Sequence, residues 1–421
     1  MDIRKRSLYR RQNQVVESQN TISERSFVPL IVGTGLATFS QGLFIPLIAA
    51  LQSDRVAPVW NTLGTSITYF GLLLSMLLMN RLTIRTGYKP AAMAGFIGAG
   101  VIPLLFLTTS SNLIWTALRL VYGLSLGAIH YSTQTWVSFI AKPAARGRQL
   151  ALYGFATGVG FALGPLGLRT ISFDGSPSSP GLGSSIPFIL AALPFVLAMV
   201  LFLRLPNPSS PQSSGSSRGL ASAPSFRIVY RIAFPALAMP FVYGFLESTL
   251  NGELPVLAAG GSLTLGVISL ALSLFVLGSL VFQLPLGYFS DRVGRRSVLL
   301  RSSAAGAVLF AVMPYTLFRP SLFLTAFFVA GCFVGSLFSL SLAYLNDLVP
   351  THWMPVANQA AVFHFALGMV LGPLSSSLFS GISGRTLFWP FTALFILYLL
   401  ATRKNPAGKP TGRNAYSEPK N

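Results

Sequence analysis

The stretch GYFSDRVGRR at residues 287–296 places one acidic and three basic residues between two long apolar runs. The flanking runs, at about 263–289 and 297–318, are each long enough to cross a hydrocarbon layer about 30 Å thick, which takes roughly 20 helical residues. A weaker copy, RTGYK at residues 85–89, follows an earlier apolar run at a shift of 207 positions. The stretch therefore predicts a membrane protein, and its copy predicts that the chain repeats.

Apolar runs of this length recur along the whole chain. Of the 421 residues, 52% are hydrophobic and 10% are charged, whereas a soluble domain carries about 25% charged residues. The predicted fold class is an all-α membrane protein with twelve transmembrane helices in two six-helix bundles, at 27–205 and 230–402. The predicted spans lie at about 27–50, 59–80, 90–109, 112–140, 149–172, 185–205, 230–257, 263–289, 297–318, 320–346, 356–382 and 384–402.

The basic residues test this number of spans, because cytoplasmic loops carry an excess of Lys and Arg. With both termini in the cytoplasm, 25 of the 30 Lys and Arg fall in cytoplasmic segments, and a missed span would invert every later loop. These segments include tails at 1–26 and 403–421 and a Ser- and Pro-rich linker at 206–229, expected to be flexible. The net charge of +20 is spread over the loops and is not gathered on one face, so nucleic acid is not an expected partner. The expected surroundings are a lipid bilayer, in a bacterial inner membrane.

Glycine motifs repeat at nearly the same offset as the charged loop. Small residues four apart let helix backbones approach closely, and a proline removes a backbone hydrogen bond, so bends are expected in spans 5 and 11. Because each repeat has six spans, the two halves share one orientation. The pairs at a shift of 208 are Gly123 with Gly331, Gly127 with Gly335, Gly160 with Gly368, Gly164 with Gly372 and Pro165 with Pro373.

Together these motifs resemble the major facilitator superfamily over essentially the whole chain. The stretch at 287–296 looks like the loop signature of that family, G-x-x-x-D-R-x-G-R-R, and the spacing Arg119-xxx-Gly123-xxx-Gly127 is similar to its fourth-helix motif. Residues 160–167 look like a fifth-helix motif often found in exporters, and 146–167 with 344–373 resemble a poorly characterised branch of efflux proteins. The resemblance implies a secondary transporter that works by alternating access.

The resemblance also implies a cytoplasmic latch between the two halves. Asp291 near the end of span 8 is expected to meet the loop before span 5, although a simple excess of cytoplasmic arginines would explain every member except Asp291. In the first-half copy, Asn80 and Ile84 replace the first glycine and the aspartate of the signature, which predicts an asymmetric gate. The expected latch residues are Asp291, Arg292, Gly294, Arg295, Arg296, Arg146 and Arg148.

Ionisable residues inside spans are costly and therefore mark functional candidates. Arg119 in span 4 and Glu247 in span 7 are the candidates for proton coupling, because a carboxylate in the bilayer can take up and release a proton as access alternates; a structural pair is the alternative for Glu247. Glu253, near the outer end of span 7, is expected to contact water. The residues expected to line a cavity are Gln41, His130, Tyr131, Gln134 and His364.

Three functions remain open at the level of sequence. The leading one is proton-coupled export of a small amphipathic or apolar compound by a monomer; span 1, however, lacks the acidic residue that many drug antiporters of the superfamily carry there. The second is uptake of a small anion or metabolite with Arg119 as the anion contact, and the third is a sensor or scaffold that keeps the fold. The single cysteine and three histidines show no ligand spacing, so no cofactor, metal or enzymatic activity is expected.

Overall fold

The computed structural model describes residues 3–53, 58–140, 146–170, 182–207, 226–258, 263–350, 353–377 and 384–404. Within these ranges, twelve spans are long and apolar enough to cross a membrane, which confirms the predicted number. The spans, numbered 1 to 12 in this order, are Ser26–Gln52, Val59–Met79, Tyr88–Thr108, Asn112–Ser138, Arg148–Leu168, Ser185–Leu203, Ile228–Leu257, Leu265–Val293, Arg295–Thr316, Pro320–Leu348, Val356–Ser375 and Thr386–Arg403.

The α-helices form two groups along the chain. Those of the N-terminal half are Ile3–Ser53, Pro58–Thr86, Tyr88–Leu105, Asn112–Ile140, Arg146–Leu163 and Leu182–Leu203. Those of the C-terminal half are Phe226–Glu253, Leu265–Val293, Arg295–Thr316, Pro320–Val334, Leu337–Leu348, Met354–Ser377 and Trp389–Lys404. The first helix begins at Ile3, well before the predicted span 1. Most of the predicted linker, at 208–225, and of the C-terminal tail, at 405–421, lies outside the described residues.

Each half packs around an apolar core of its own. In the N-terminal half, buried rings such as Phe96 and Phe202 meet with their centroids 4.8 Å apart. In the C-terminal half, Phe310 and Phe391 do the same at 5.1 Å. Such edge-to-face contacts add to the burial of the rings themselves. Met369 of span 11 is also buried in the cluster of the N-terminal half, so the two halves pack against each other as well.

Close glycine contacts confirm the internal repeat in three dimensions. A Cβ added to Gly123 would lie 1.8 Å from the carbonyl oxygen of Thr68, and one added to Gly331 would lie 2.0 Å from that of Phe275. Spans 2 and 4 thus pack together as spans 8 and 10 do, and spans 1 and 5 as spans 7 and 11. A Cβ added to four other glycines would likewise meet a backbone carbonyl oxygen. The pairs of glycine and carbonyl are Gly160 with Gly35, Gly368 with Phe241, Gly164 with Phe39 and Gly372 with Phe245.

The charged loop and its copy also share one backbone turn. Gly87 follows the helix Pro58–Thr86, and Gly294 follows the helix Leu265–Val293. Their φ values are 91° and 94°, and they are the positive-φ glycines of the described residues. This left-handed region is open to glycine without steric cost. We call the side of the molecule that carries both turns the basic face, because Arg85 and Arg295 adjoin them. The opposite side is the far face.

Spans 5 and 11 test the bends expected from the Gly-Pro motifs, and span 10 contains a break. Span 5 changes to 3-10 geometry at Gly164, where the Gly-Pro motif predicts a bend. Span 11, by contrast, stays α-helical through Pro373 as far as Ser377, so the second copy of the motif does not interrupt its helix. Span 10 breaks between Val334 and Leu337, which the sequence interpretation missed.

Candidate functional site

A cavity of about 430 Å³ lies between the two halves. Its walls come from spans 1, 2, 4 and 5 on one side and from spans 7, 8, 10 and 11 on the other. Towards the basic face, its lining includes the exposed residues Gln134, Gln283 and Ser339. Towards the far face, Thr38 and Leu250 in the lining are buried. The cavity therefore opens towards the basic face.

Glu247 supplies the carboxylate of this cavity. Its backbone carbonyl accepts a hydrogen bond of 2.8 Å from Nδ2 of Asn251. Within the described part of the chain, its carboxylate has no hydrogen bond or ion pair, and the rings of Tyr69 and Tyr243 lie within electrostatic range. An unpaired charge is costly away from bulk water. The carboxylate is therefore available to a group that enters the cavity.

Gln41 and His130 form a polar pair on the opposite wall of the cavity. Oε1 of Gln41 in span 1 and Nε2 of His130 in span 4 are 2.8 Å apart, and both residues line the cavity. Because an amide oxygen only accepts, the histidine donates from Nε2 in this arrangement, which leaves Nδ1 as an acceptor. The pair thus offers hydrogen bonds to a ligand in the cavity.

An aromatic wall completes the cavity. Tyr243 stacks on Phe365, with the centroids 6.1 Å apart and the ring planes at 19°. Phe338 meets Phe365 at 4.9 Å, and all three rings line the cavity. Such a wall offers apolar area, and its ring faces attract positive charge.

The charge of the lining is one-sided. Among the described residues around the cavity there is neither lysine nor arginine, and Glu247 is the acidic residue. A compound with a net negative charge would therefore meet repulsion and no fixed cation. The arrangement favours neutral or positively charged amphipathic molecules.

Two residues expected in the cavity, Tyr131 and His364, are not part of its lining. Tyr131 is half-buried and lies within electrostatic range of Tyr88 of span 3. His364 bonds to the hydroxyl of Tyr230, and its Nδ1 lies 2.6 Å from the carbonyl oxygen of Ala360. Tyr131 follows the lining residue His130, and His364 precedes the lining residue Phe365. Adjacent residues of an α-helix point about 100° apart, whereas residues four apart share a face. Tyr131 and His364 therefore face away from the cavity.

Arg119 also lies outside the cavity lining. It is 3% exposed, and its Nη1 donates to the carbonyl oxygen of Asn61 at 3.0 Å and to Oγ1 of Thr65 at 3.2 Å. Both acceptors belong to span 2, near the far face. Arg119 is therefore held by protein groups beyond the cavity, where a ligand in the cavity does not reach it.

The charged loop forms an ion cluster within the C-terminal half. Arg295 pairs with Asp291 at 3.2 Å and with Asp347 at 3.0 Å, and it donates to the carbonyl oxygen of Ala343 at 2.7 Å. The loop signature thus ties the ends of spans 8, 9 and 10 together at the basic face.

The other expected latch residues lie around this cluster. Arg292 sits over the ring of Tyr288 at 4.1 Å, and Arg296 donates to the carbonyl oxygen of Thr402 at 3.1 Å. Arg148 is exposed, and the side chain of Arg146 lies outside the described residues. The described ion pairs of Asp291 and Arg295 stay within one half. The contact of Asp291 with the loop before span 5 stays a prediction, because the side chains of residues 141–147 lie outside the described residues.

Comparison with known proteins identifies the family. The sequence model of the Major Facilitator Superfamily matches residues 30–259 and 236–419, which include both halves. The chain belongs to this superfamily. This MFS transporter is 34% identical over 366 residues to the uncharacterized MFS-type transporter YfkF of Bacillus subtilis, covering 84% of the chain and 88% of YfkF. It is 24% identical over 396 residues to the uncharacterized MFS-type transporter YcaD of Escherichia fergusonii, covering 91% and 97%.

Solved structures show the same fold for this MFS transporter. The nucleoside transporter NupG superposes with a TM-score of 0.71 at 13% sequence identity, covering 91% of this chain and 100% of NupG. A D-xylose-proton symporter superposes with a TM-score of 0.72 at 14% identity, covering 95% and 100%. At such low identity, the likeness concerns the fold.

Proposed function

We propose that this MFS transporter is a proton-coupled exporter of a small amphipathic compound without net negative charge. The observation that carries the proposal is the Glu247 carboxylate, which lines the cavity between the halves and has no hydrogen bond or ion pair within the described residues. Enclosing this charge during a change of access would be costly. Neutralisation by a proton removes that cost and links proton movement to the alternation of access.

The lining supports the proposed substrate class. The aromatic wall of Tyr243, Phe338 and Phe365 fits an apolar body, and the Gln41–His130 pair fits a polar group. Uptake of an anion through Arg119 is less favoured, because Arg119 is buried among Asn61 and Thr65 and not in the cavity. The same fold is proton-coupled in the D-xylose-proton symporter.

The direction of transport is proposed from the sequence. Residues 160–167 look like the fifth-helix motif of exporters, and the excess of basic residues indicates that the basic face is cytoplasmic. With the cavity open to that face, a substrate would enter from the cytoplasm and a proton from the outside. The site in this bilayer-embedded monomer would thus exchange one for the other.

The test is transport into inverted membrane vesicles with a panel of amphipathic amines and neutral amphiphiles. We expect a proton gradient to drive accumulation of at least one panel compound, and Glu247→Gln to abolish that gradient dependence. Asp174→Asn, a carboxylate predicted between spans 5 and 6, is the matched control and should behave as the wild type. Accumulation that ignores the gradient in the wild type, or that keeps its gradient dependence in Glu247→Gln, would refute the proposal.

A further inference from the structure

A buried hydrogen bond joins the two halves beyond the cavity. Nδ2 of Asn61 in span 2 donates to the carbonyl oxygen of Gly252 in span 7 at 2.9 Å. Asn61 is 1% exposed, so this contact lies away from water. Because each partner belongs to a different half, the bond must break if the halves separate at the far face.

Arg119 fixes the orientation of the Asn61 amide. Its Nη1 donates to the backbone oxygen of Asn61 at 3.0 Å, and its Nη2 faces the side-chain oxygen at 3.4 Å. A guanidinium only donates, so it holds the Oδ1 side of the amide and turns Nδ2 towards Gly252. The bond between the halves is therefore preorganised from span 4.

Two glycines make room for this arrangement. A Cβ on Gly64 would lie 2.4 Å from Nη1 of Arg119, and a Cβ on Gly252 would lie 2.4 Å from Cγ2 of Thr65. The first glycine lets the guanidinium cross span 2, and the second lets span 7 approach it. Glu253, 8% exposed, places a carboxylate of the C-terminal half within electrostatic range of Arg119, so attraction across the interface adds to the hydrogen bond.

We propose that Arg119 and Asn61 are the positioning residues of a far-face gate. Arg119 holds Asn61, and Asn61 clamps span 2 to span 7 while the cavity is open to the basic face. The clamp releases when the transporter opens to the far face, and its strength sets the balance between the two access states. This role is independent of which substrate or ion the cavity carries.

The gate is tested by the labelling of a reporter thiol from the far face. The reporter is Leu250→Cys, a buried lining residue at the far end of the cavity, in a Cys332→Ser background. A membrane-impermeant maleimide is added to the far face only, and the labelling rate measures how often that face opens. Thr68→Val is the matched control, because it removes a buried hydroxyl of span 2 whose 2.9 Å bond to Gly64 stays within that helix.

Two substitutions of Asn61 separate clamping from folding. Asn61→Leu removes the bond between the halves and is expected to raise the labelling rate about tenfold, which corresponds to about 1.4 kcal/mol. Asn61→Asp keeps an acceptor for Arg119 but has no N–H for Gly252, so it should give the same increase without a lower melting temperature. Wild-type labelling rates in both folded variants would overturn the proposal, as would an equal increase in Thr68→Val.

The part played by Arg119 is tested through non-additivity. Arg119→Met is expected to raise the labelling rate, because it removes both the hold on Asn61 and the attraction to Glu253. The double variant with Asn61→Leu should fall clearly below the product of the two single effects, because the hold on Asn61 acts through the one bond to Gly252. Fully multiplicative effects would show that Arg119 acts elsewhere and would overturn its role in the clamp.

Discussion

Replacing Gly123 by alanine is expected to destabilise the N-terminal half. The added Cβ would lie 1.8 Å from the carbonyl oxygen of Thr68 and 3.1 Å from the backbone nitrogen of Leu72. An ordinary carbon–oxygen contact is about 3.3 Å or longer, so spans 2 and 4 would have to separate by roughly 1.5 Å. The obstacle is backbone, which cannot rotate out of the way as a side chain would.

The cost follows from this displacement. Overpacking of a well-packed core destabilises by about 1–3 kcal/mol. In a half of this size, 1 kcal/mol shifts the melting temperature by about 2–4 °C, so a fall of about 2–12 °C is expected. The hydrogen bonds from Arg119 to span 2 are stretched by the same displacement. The rate of thiol labelling from the far face should therefore rise in Gly123→Ala.

The assay is thermal unfolding in detergent. One control variant introduces an equivalent clash in the second half, and the other adds a Cβ where there is free space. Gly331→Ala is the equivalent change in the second half, where the added Cβ would meet the carbonyl oxygen of Phe275 at 2.0 Å, and it should cost as much. Gly287→Ala adds a Cβ with no atom within 4 Å and should be neutral or slightly stabilising. Equal melting temperatures for Gly123→Ala and Gly287→Ala would refute the reasoning.

Four further substitutions test the basic face and the cavity. Asp291→Asn breaks an exposed pair, so stability should change by no more than about 1 kcal/mol, while the transport rate in vesicles falls several-fold as the latch is lost. Tyr243→Leu removes the ring that stacks on Phe365 and should raise KM about two- to tenfold. His130→Leu should weaken substrate binding about fivefold for the loss of one hydrogen bond, and adding Gln41→Leu should cost little more, because the two act as a pair.

Each of these expectations has a contradicting outcome. A large fall in the melting temperature of Asp291→Asn would show that its carboxylate mainly stabilises the fold. An unchanged transport rate would show that it takes no part in the latch. Tyr243→Phe keeps the ring, so a KM as high as that of Tyr243→Leu would transfer the effect to the hydroxyl. Fully additive effects at His130 and Gln41 would show that the two side chains act separately.

The twelve spans and the repeat follow from the sequence because strong physical signals encode them. Apolar length and the distribution of Lys and Arg fix the number of spans, and the motif pairs at a shift of 208 positions fix the symmetry. Gly123 and Gly331, read as close-contact positions, do meet backbone carbonyls. The break in span 10 at Gly335 was missed, because a glycine in a span is compatible with either a helix or its interruption.

The cavity was predicted only in part. Gln41, His130 and Gln134 line it as expected, and Glu247, predicted as a proton-coupling residue, lines it too. Polar side chains inside apolar runs carry a clear signal. Gln283, which carries the same signal in span 8, was overlooked. The prediction was wrong for Tyr131 and His364, because it considered the residue type and not the face of the helix on which each residue lies.

The far-face gate was the least accessible from sequence. Arg119 was recognised as a buried cation, but its acceptor Asn61 stands near the edge of a span, where a polar residue attracts no notice. Glu253 was expected to contact water and is instead 8% exposed. The approach of span 2 to span 7 is a contact between halves, and no pattern within either half specifies it.

We propose that Glu247 couples proton movement to transport. The most direct test measures proton-driven accumulation separately from substrate exchange. With a substrate from the panel, gradient-driven accumulation and substrate counterflow at equal pH are measured side by side in wild type and Glu247→Gln. Counterflow needs no net proton movement, so it should persist in the variant while gradient-driven accumulation is lost. Gradient-driven accumulation at the wild-type level in Glu247→Gln would contradict the account.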